Sequence, residues 1–164
     1  MLAILVLGTL ASAQQPKLPA PVAAPVPPQI AAAHKLFISN ASGASVETVT
    51  DEMVLNGGPD RPYNQFYAAM KNWGHYPLVS SPADADVVFE ISWLLTDTAD
   101  IKNPVLGQLR LRVVDPKTNI TLWTCAEYVG GAILLGNRDK NFDRAMNALV
   151  SRIETLAEPH PVNQ

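Results

Sequence analysis

The chain has 164 residues, 12 Lys and Arg against 15 Asp and Glu, a net charge of −3 and a single cysteine. That balance leaves no basic stripe for nucleic acid and no cationic amphipathic segment for a membrane surface. One thiol excludes an intramolecular disulfide, so a single domain of this size must rely on its core.

Met1–Ala13, MLAILVLGTLASA, is an apolar run that ends in Ala-Ser-Ala before Gln14, the small-x-small pattern of a cleaved signal peptide. It is shorter than the roughly 20 apolar residues that a spanning helix needs. The usual positive n-region is missing, so a start codon upstream of Met1 is expected. No cysteine follows the apolar run, so a lipid anchor of the lipoprotein type is not expected there. The reading is an exported protein, periplasmic or extracellular. Residues 14–33, QQPKLPAPVAAPVPPQIAAA, hold six prolines and read as a linker, an extended spacer of polyproline type at about 3 Å per residue. A single domain is expected over 34–158, with a disordered tail over 159–164.

Lys35–Asn40 reads as a first strand. Ala41–Asp60 follows as an irregular loop with Asn56-Gly57-Gly58-Pro59 as turn chemistry. Arg61–Trp73 is a helix: Asp60 is placed to cap it, Pro62 fits the first turn and Gly74 stops it. Its Tyr63, Phe66, Tyr67, Met70 and Trp73 share one face, a stripe that suits packing on a sheet. Tyr76–Ser80 reads as a second short strand, and Ser81–Asp86 as a capped turn.

Val87–Leu95 alternates, with Val87, Phe89, Ile91, Trp93 and Leu95 on one side, as a half-buried strand does. Leu109, Leu111 and Val113 repeat the pattern, with Arg110 and Arg112 opposite. Asp115-Pro116-Lys117-Thr118-Asn119 then forms a hairpin turn in which Asn119 tolerates a left-handed backbone. A loop of Pro116–Asn119 pairs Val113 with Leu122 and Leu111 with Thr124, and sets Arg112 across from Trp123. A slip of one residue would bring Trp123 inward and Leu122 outward; the first register is preferred. Gly130–Lys140 reads as a glycine-flanked loop exposing Ile133, Leu134 and Leu135. Asp139 or Asn141 is expected to cap a last helix whose Phe142, Ala145, Met146, Leu149, Val150, Ile153 and Leu156 keep helical spacing. The fold class is α+β: a mixed or antiparallel sheet of about five strands with two main helices on one face.

Catalytic chemistry finds little footing. His34, His75 and His160 are scattered, no HxxxH, CxxC or HExxH spacing occurs, and neither Asp84/Asp86 nor Asp97/Asp100 makes a calcium loop. There is no GxSxG or SxxK nucleophile motif. Cys125 lies mid-strand without a resolving cysteine or a named base; in the preferred register it points to the Arg110 face, which would lower its pKa. Glu90, Glu127, Arg110 and Arg112 are placed on the sheet face away from the apolar stripe, as a carboxylate pair or a salt-bridge ladder. No catalytic, cofactor-binding or metal-ligating residue is assigned, and no cofactor is expected.

The expectation is a non-enzymatic binding or assembly module. The loops 41–60 and 130–140 would form its contact surface, and Ile133, Leu134 and Leu135 would meet a partner. The partner is an envelope protein or a second copy through a strand edge, with no nucleic acid and no stable membrane insertion after signal cleavage. The alternative is a small-molecule or lipid carrier with a pocket between the first helix and the sheet.

Several short motifs carry a resemblance: Lys35–Asn40, the run Gly58-Pro59-Asp60-Arg61-Pro62-Tyr63-Asn64-Gln65-Phe66-Tyr67, and Leu78–Asp86. Asp115-Pro116-Lys117-Thr118 with Leu122-Trp123, and Asn141-Phe142-Asp143, complete the set. In this order they resemble a family of small exported bacterial proteins of unknown function, over roughly Lys35–Leu156. That resemblance implies no activity and no catalytic residues. More distantly, Ala83-Asp84-Ala85-Asp86-Val87-Val88 ahead of a strand is similar to the α+β envelope domains of the TolB amino-terminal part and of curli-secretion accessory lipoproteins. Such domains act as assembly or binding modules, and the similarity is one of fold.

Overall fold

The computed structural model describes residues 24–42, 56–95 and 105–158. The expected signal peptide, most of the linker, the bulk of the 41–60 loop, Asp97/Asp100 and the tail with His160 lie outside the described residues. Helix α1 (Pro28–Ala31) is followed by β1 (Leu36–Asn40), α2 (Arg61–Trp73), a 3-10 turn (Pro82–Asp84), β2 (Val87–Leu95), β3 (Val105–Asp115), β4 (Ile120–Gly130) and α3 (Leu135–Ala157). The sheet order is β1-β2-β3-β4. Strand β1 runs parallel to β2, across the α2 connection, and β2–β3–β4 is an antiparallel meander.

The alternation of β2 and β3 sorts the two faces. Phe89, Ile91, Leu109, Leu111 and Val113 are fully buried on one side. Helices α2 and α3 cover that side, with Phe66 of α2 against Phe89 at a 6.4 Å centroid distance and Phe142 of α3 edge-on to Trp93 at 5.7 Å. Phe142, Ala145, Met146, Leu149, Ile153 and Leu156 form the buried stripe of α3. The other face buries Val88 and Val114 at one end and carries polar side chains along the rest. There Arg112 Nη1 meets Glu90 Oε2 at 2.9 Å across β2–β3, and Arg112 Nη2 donates to Thr121 Oγ1 at 2.9 Å.

Local chemistry explains the joints. Gly74 ends α2 at φ 68°, in the left-handed region that a glycine adopts without strain, and its N–H donates to the Met70 carbonyl. In the β3–β4 turn, Asp115 accepts from Lys117 N and Thr118 Oγ1, and Asn119 sits at φ 56°. Asp86 accepts from the backbone N–H groups of His34 and Lys35, tying the start of β2 to that of β1.

The structure corrects several expectations. The Pro/Ala-rich stretch enters the fold before residue 33: Pro28–Ala31 is helical, Ile30 is buried, and Tyr76 OH donates to the Ile30 carbonyl at 2.9 Å. The α+β class and the mixed sheet are as expected, with four strands among the described residues against the about five read from the sequence. The segment expected as a further strand, Tyr76–Ser80, makes one parallel bridge from Leu78 to Leu36, because Pro77 has no N–H to donate and Pro82 follows closely. Asp60 stands at the N-cap of α2 but makes no capping bond; its Oδ1 accepts from Asn40 Nδ2 instead.

The hairpin register differs as well. Val113 pairs with Trp123, Arg112 with Thr124 and Leu111 with Cys125, and the pairing shifts between Val113 and Val114. Since Val114 pairs with Thr121, Leu122 is the extra residue of a β-bulge. A bulge breaks strict alternation, so Leu122 and Trp123 both contact the core rather than one facing in and one out.

Candidate functional site

The candidate site is the junction between β4 and α3. Strand β4 ends at Gly130, whose carbonyl accepts from Asn141 Nδ2 at 2.8 Å. Two residues later Arg138 Nε donates to the Ala132 carbonyl at 2.6 Å, and its Nη2 reaches the Ile133 carbonyl at 3.4 Å. The backbone N–H groups of Asn137 and Arg138 both donate to the Leu134 carbonyl. Side chains of α3 thus hold the backbone of the turn, while the turn's own side chains point to solvent. Ile133 is 94% exposed, Leu134 67% and Leu135 40%.

Helix α3 therefore starts at Leu135, not at the expected Asp139 or Asn141, and Leu134 occupies its N-cap with no side-chain cap bond. Leucine there forgoes the hydrogen bond that Ser, Thr, Asp or Asn would give, a difference of about 1 kcal/mol. Its side chain recovers little by burial. An apolar residue that violates local preference and stays exposed is the kind of inconsistency that functional surfaces carry.

Beneath the turn, Arg61 at the start of α2 joins α3. Its Nη1 approaches Asp139 Oδ1 at 2.5 Å and its Nη2 Asp143 Oδ1 at 2.9 Å. Nη1 also donates to the Asn56 carbonyl, and the guanidinium lies 4.5 Å from the Phe142 ring centroid. Asn56 hydrogen-bonds Asp139 through both its backbone N–H and its side-chain amide. Burial pushes the Asp139 carboxyl up, but the bonds from Arg61 and Asn56 outweigh it and hold the group below the usual carboxylate range. Arg61 is 9% exposed, the one charged residue among the described residues to be buried. The two motif runs read separately in the sequence, Gly58–Tyr67 and Asn141–Asp143, meet in this clasp. Composition gave Arg61 no role. The usable signal was the Asp139/Asp143 pair, like charges at i and i+4 that need a cation to sit on one helix face.

The residues weighed for chemistry do not converge. Cys125 faces the core beside Leu111, not Arg110, because of the register shift. Burial pushes its thiol up to about 11, with Arg152 opposing and Glu127 adding. Glu127 pairs with Leu109 and so lies on the helix side, opposite Glu90. It meets Arg152 of α3, Nε to Oε1 at 2.6 Å, as a charge contact without hydrogen-bond alignment. The two carboxylates cannot act as a pair across the sheet. Among the described residues no three of His, Cys, Asp and Glu converge as a metal site would require. Phe66, Met70, Tyr76 and Phe89, all 3% exposed or less, occupy the space between α2 and the sheet where a carrier pocket would lie.

No protein-family model matches the chain, and no curated protein is similar to it. Solved structures are similar in shape. A Xanthomonas campestris protein of the DUF330 family shares 10% identity at a TM-score of 0.50, over 76% of this chain and 82% of that one. The PelC dodecamer of Paraburkholderia phytofirmans gives 11% and 0.45 over 77% and 88%, and a lipoprotein of Neisseria meningitidis 14% and 0.39 over 74% and 99%. At such identities the likeness to the Xanthomonas protein is one of fold alone: the chain is an α+β domain of a kind found in bacteria.

Proposed function

We propose that the protein is a non-enzymatic binding module of the bacterial cell envelope that engages a protein partner through Ile133, Leu134 and Leu135. The observation that carries this reading is the apolar tip, three large side chains exposed on a backbone held by Arg138 and Asn141. Full burial of one such side chain is favourable by about 1.5–3 kcal/mol. A backbone already held avoids the cost of ordering the loop on binding and leaves the side-chain cost of about 0.5–1.5 kcal/mol each. The signal-like run Met1–Ala13 supports export, and among the described residues no helix is long and apolar enough to cross a membrane. Self-association through the same tip would use the same chemistry.

The test is in-cell photo-crosslinking from a probe placed at Gly136, with the native protein and with Ile133, Leu134 and Leu135 all changed to Ser. A defined adduct, with an envelope protein or a second copy, that is formed by the native protein and lost in the variant is the expected result. Equal crosslinking by both forms would remove the tip from the function. Because the three side chains are exposed, the variant should keep the native circular dichroism and melt no lower than the native protein, so a lost adduct reports contact rather than unfolding.

A further inference from the structure

The two edges of the sheet are not alike. The outer side of β1 is bridged by Leu78, whereas β4 is terminal and no strand lies beside it among the described residues. Beyond the bulge, β4 keeps continuous register with β3 from Trp123 to Tyr128. Alternate residues of an antiparallel strand direct both N–H and C=O away from their partner, so this stretch offers a row of open backbone groups. Edge strands are commonly blunted by Lys or Pro. Ile120–Gly130 contains neither, and Glu127 is its single charge.

Beside the edge runs a groove against α3. One depression of about 290 Å³ is lined by Glu127, Asn141, Arg144 and Ala148, and a second of about 610 Å³ by Trp123, Ala148, Arg152 and Leu156. Ala148 is common to both, and its small side chain leaves room where a larger one would close the channel. The far half is apolar and the near half carries charge. Arg152 is committed to Glu127. Arg144 has an amide partner, Asn141 Oδ1 at 3.3 Å, and no carboxylate among the described residues. The groove therefore holds two cations against one anion.

We propose that the β4 edge and this groove take an extended, acidic peptide segment of a partner protein as an added strand. Its backbone pairs with β4 over Trp123–Tyr128, alternate side chains enter the channel beside α3, and a carboxylate faces Arg144. A second copy of β4 is the poorer occupant, because it would bring a second Arg144 and Arg152 to a site already in positive excess. The inference shares with the proposed function the premise of a binding module, but it uses a different surface from the tip.

The probe is an acetylated octapeptide of alternating Val and Thr with a central Asp, compared with twins bearing Lys or Pro in place of Asp. It is added to the full-length 15N-labelled protein, and amide exchange is followed by NMR. The Asp peptide is expected to slow exchange at least tenfold at alternate positions between Trp123 and Tyr128. The Lys peptide should bind at least fivefold more weakly and the Pro peptide should give no protection. Arg144→Glu should erase the preference for Asp over Lys, and Ala148→Trp should abolish protection. The serine variant of Ile133, Leu134 and Leu135 should bind the peptide as the native protein does, so failure here is separable from failure of the tip. The proposal is overturned by any of three results: no protection of β4 at millimolar peptide, equal binding of the Asp and Lys peptides, or protection that grows with protein concentration without peptide. The last would assign the edge to a second copy.

Discussion

Arg61 is predicted to couple the two helices through Asp139 far more than through Asp143. The two ion pairs have similar lengths, 2.5 and 2.9 Å, but their surroundings differ: the Asp139 side chain is 18% exposed and that of Asp143 53%. Stranding one member of a buried pair costs about 3–5 kcal/mol, whereas an exposed pair contributes about 0.2–1 kcal/mol. Asp139 would retain its bonds from Asn56 and some water if Arg61 were lost, which reduces the penalty. Arg61→Met should therefore destabilise by about 2–4 kcal/mol, of which the contact over Phe142 accounts for about 0.5–1 kcal/mol. Urea unfolding of the single and double variants, followed by tryptophan fluorescence, gives the coupling energies directly. The cycle of Arg61→Met with Asp139→Asn should yield about 1–3 kcal/mol, and that with Asp143→Asn less than about 1 kcal/mol. Equal couplings, or an Arg61→Met variant within about 0.5 kcal/mol of native, would show that the clasp does not hold α2 to α3.

Gly107→Ala should destabilise by about 1–3 kcal/mol in the same assay, because a β-carbon there would lie 2.5 Å from Trp93 Cζ2 and 2.6 Å from the Leu94 carbonyl oxygen. The Cys125 thiol, pushed up to about 11 by burial, should react with a disulfide reagent at pH 8 about two orders of magnitude more slowly than in urea-unfolded protein, as its smaller thiolate fraction dictates; comparable rates would contradict its burial. Leu134→Ser alone should raise stability by about 0.5–1 kcal/mol by restoring a cap to α3, and a loss would mean that Leu134 packs on the fold. Three carboxyls are held below their usual range: Asp86 by the His34 and Lys35 N–H groups, Asp115 by Lys117 and Thr118, and Asp139, whose burial is outweighed by Arg61 and Asn56. A depressed carboxyl contributes stability that is present above its unfolded pKa and lost as pH falls through its folded one. Stability should thus be level near neutrality and decline below about pH 4, with a shallower decline in Asp139→Asn.

Periodicity made the regular elements legible. The bounds of β2 and the stripe Phe142–Leu156 of α3 follow from spacing, and those of α2 from spacing with Asp60, Pro62 and Gly74, because an amphipathic segment can bury its apolar side in one way. The register of β4 was not legible, since a bulge inserts one residue that alternation cannot anticipate, and the side of the sheet assigned to Cys125 and Glu127 changed with it. The start of α3 was hidden for a different reason: helix starts are recognised by polar caps, and here a leucine stands in that place. The exposure of Ile133, Leu134 and Leu135 was visible as apolar residues between glycines and charges. Their anchoring was not, because Arg138 and Asn141 reach backbone carbonyls that carry no sequence signature.

That anchoring distinguishes a binding tip from a merely sticky loop. Three large apolar side chains on a free chain would sample many shapes and would have to be ordered by any partner. Here the carbonyls of Gly130, Ala132 and Ile133 are each held by a side chain of the helix that follows. One turn further along, Asp139 and Asp143 fix that helix to α2 through Arg61. The support therefore runs from the core to the surface: Phe142 packs on Trp93, Arg61 stacks on Phe142, and the helix so held carries the tip. Loosening Arg61 should disturb the tip without touching it, whereas changing the tip should leave the clasp intact, and this asymmetry follows from one direction of mechanical support.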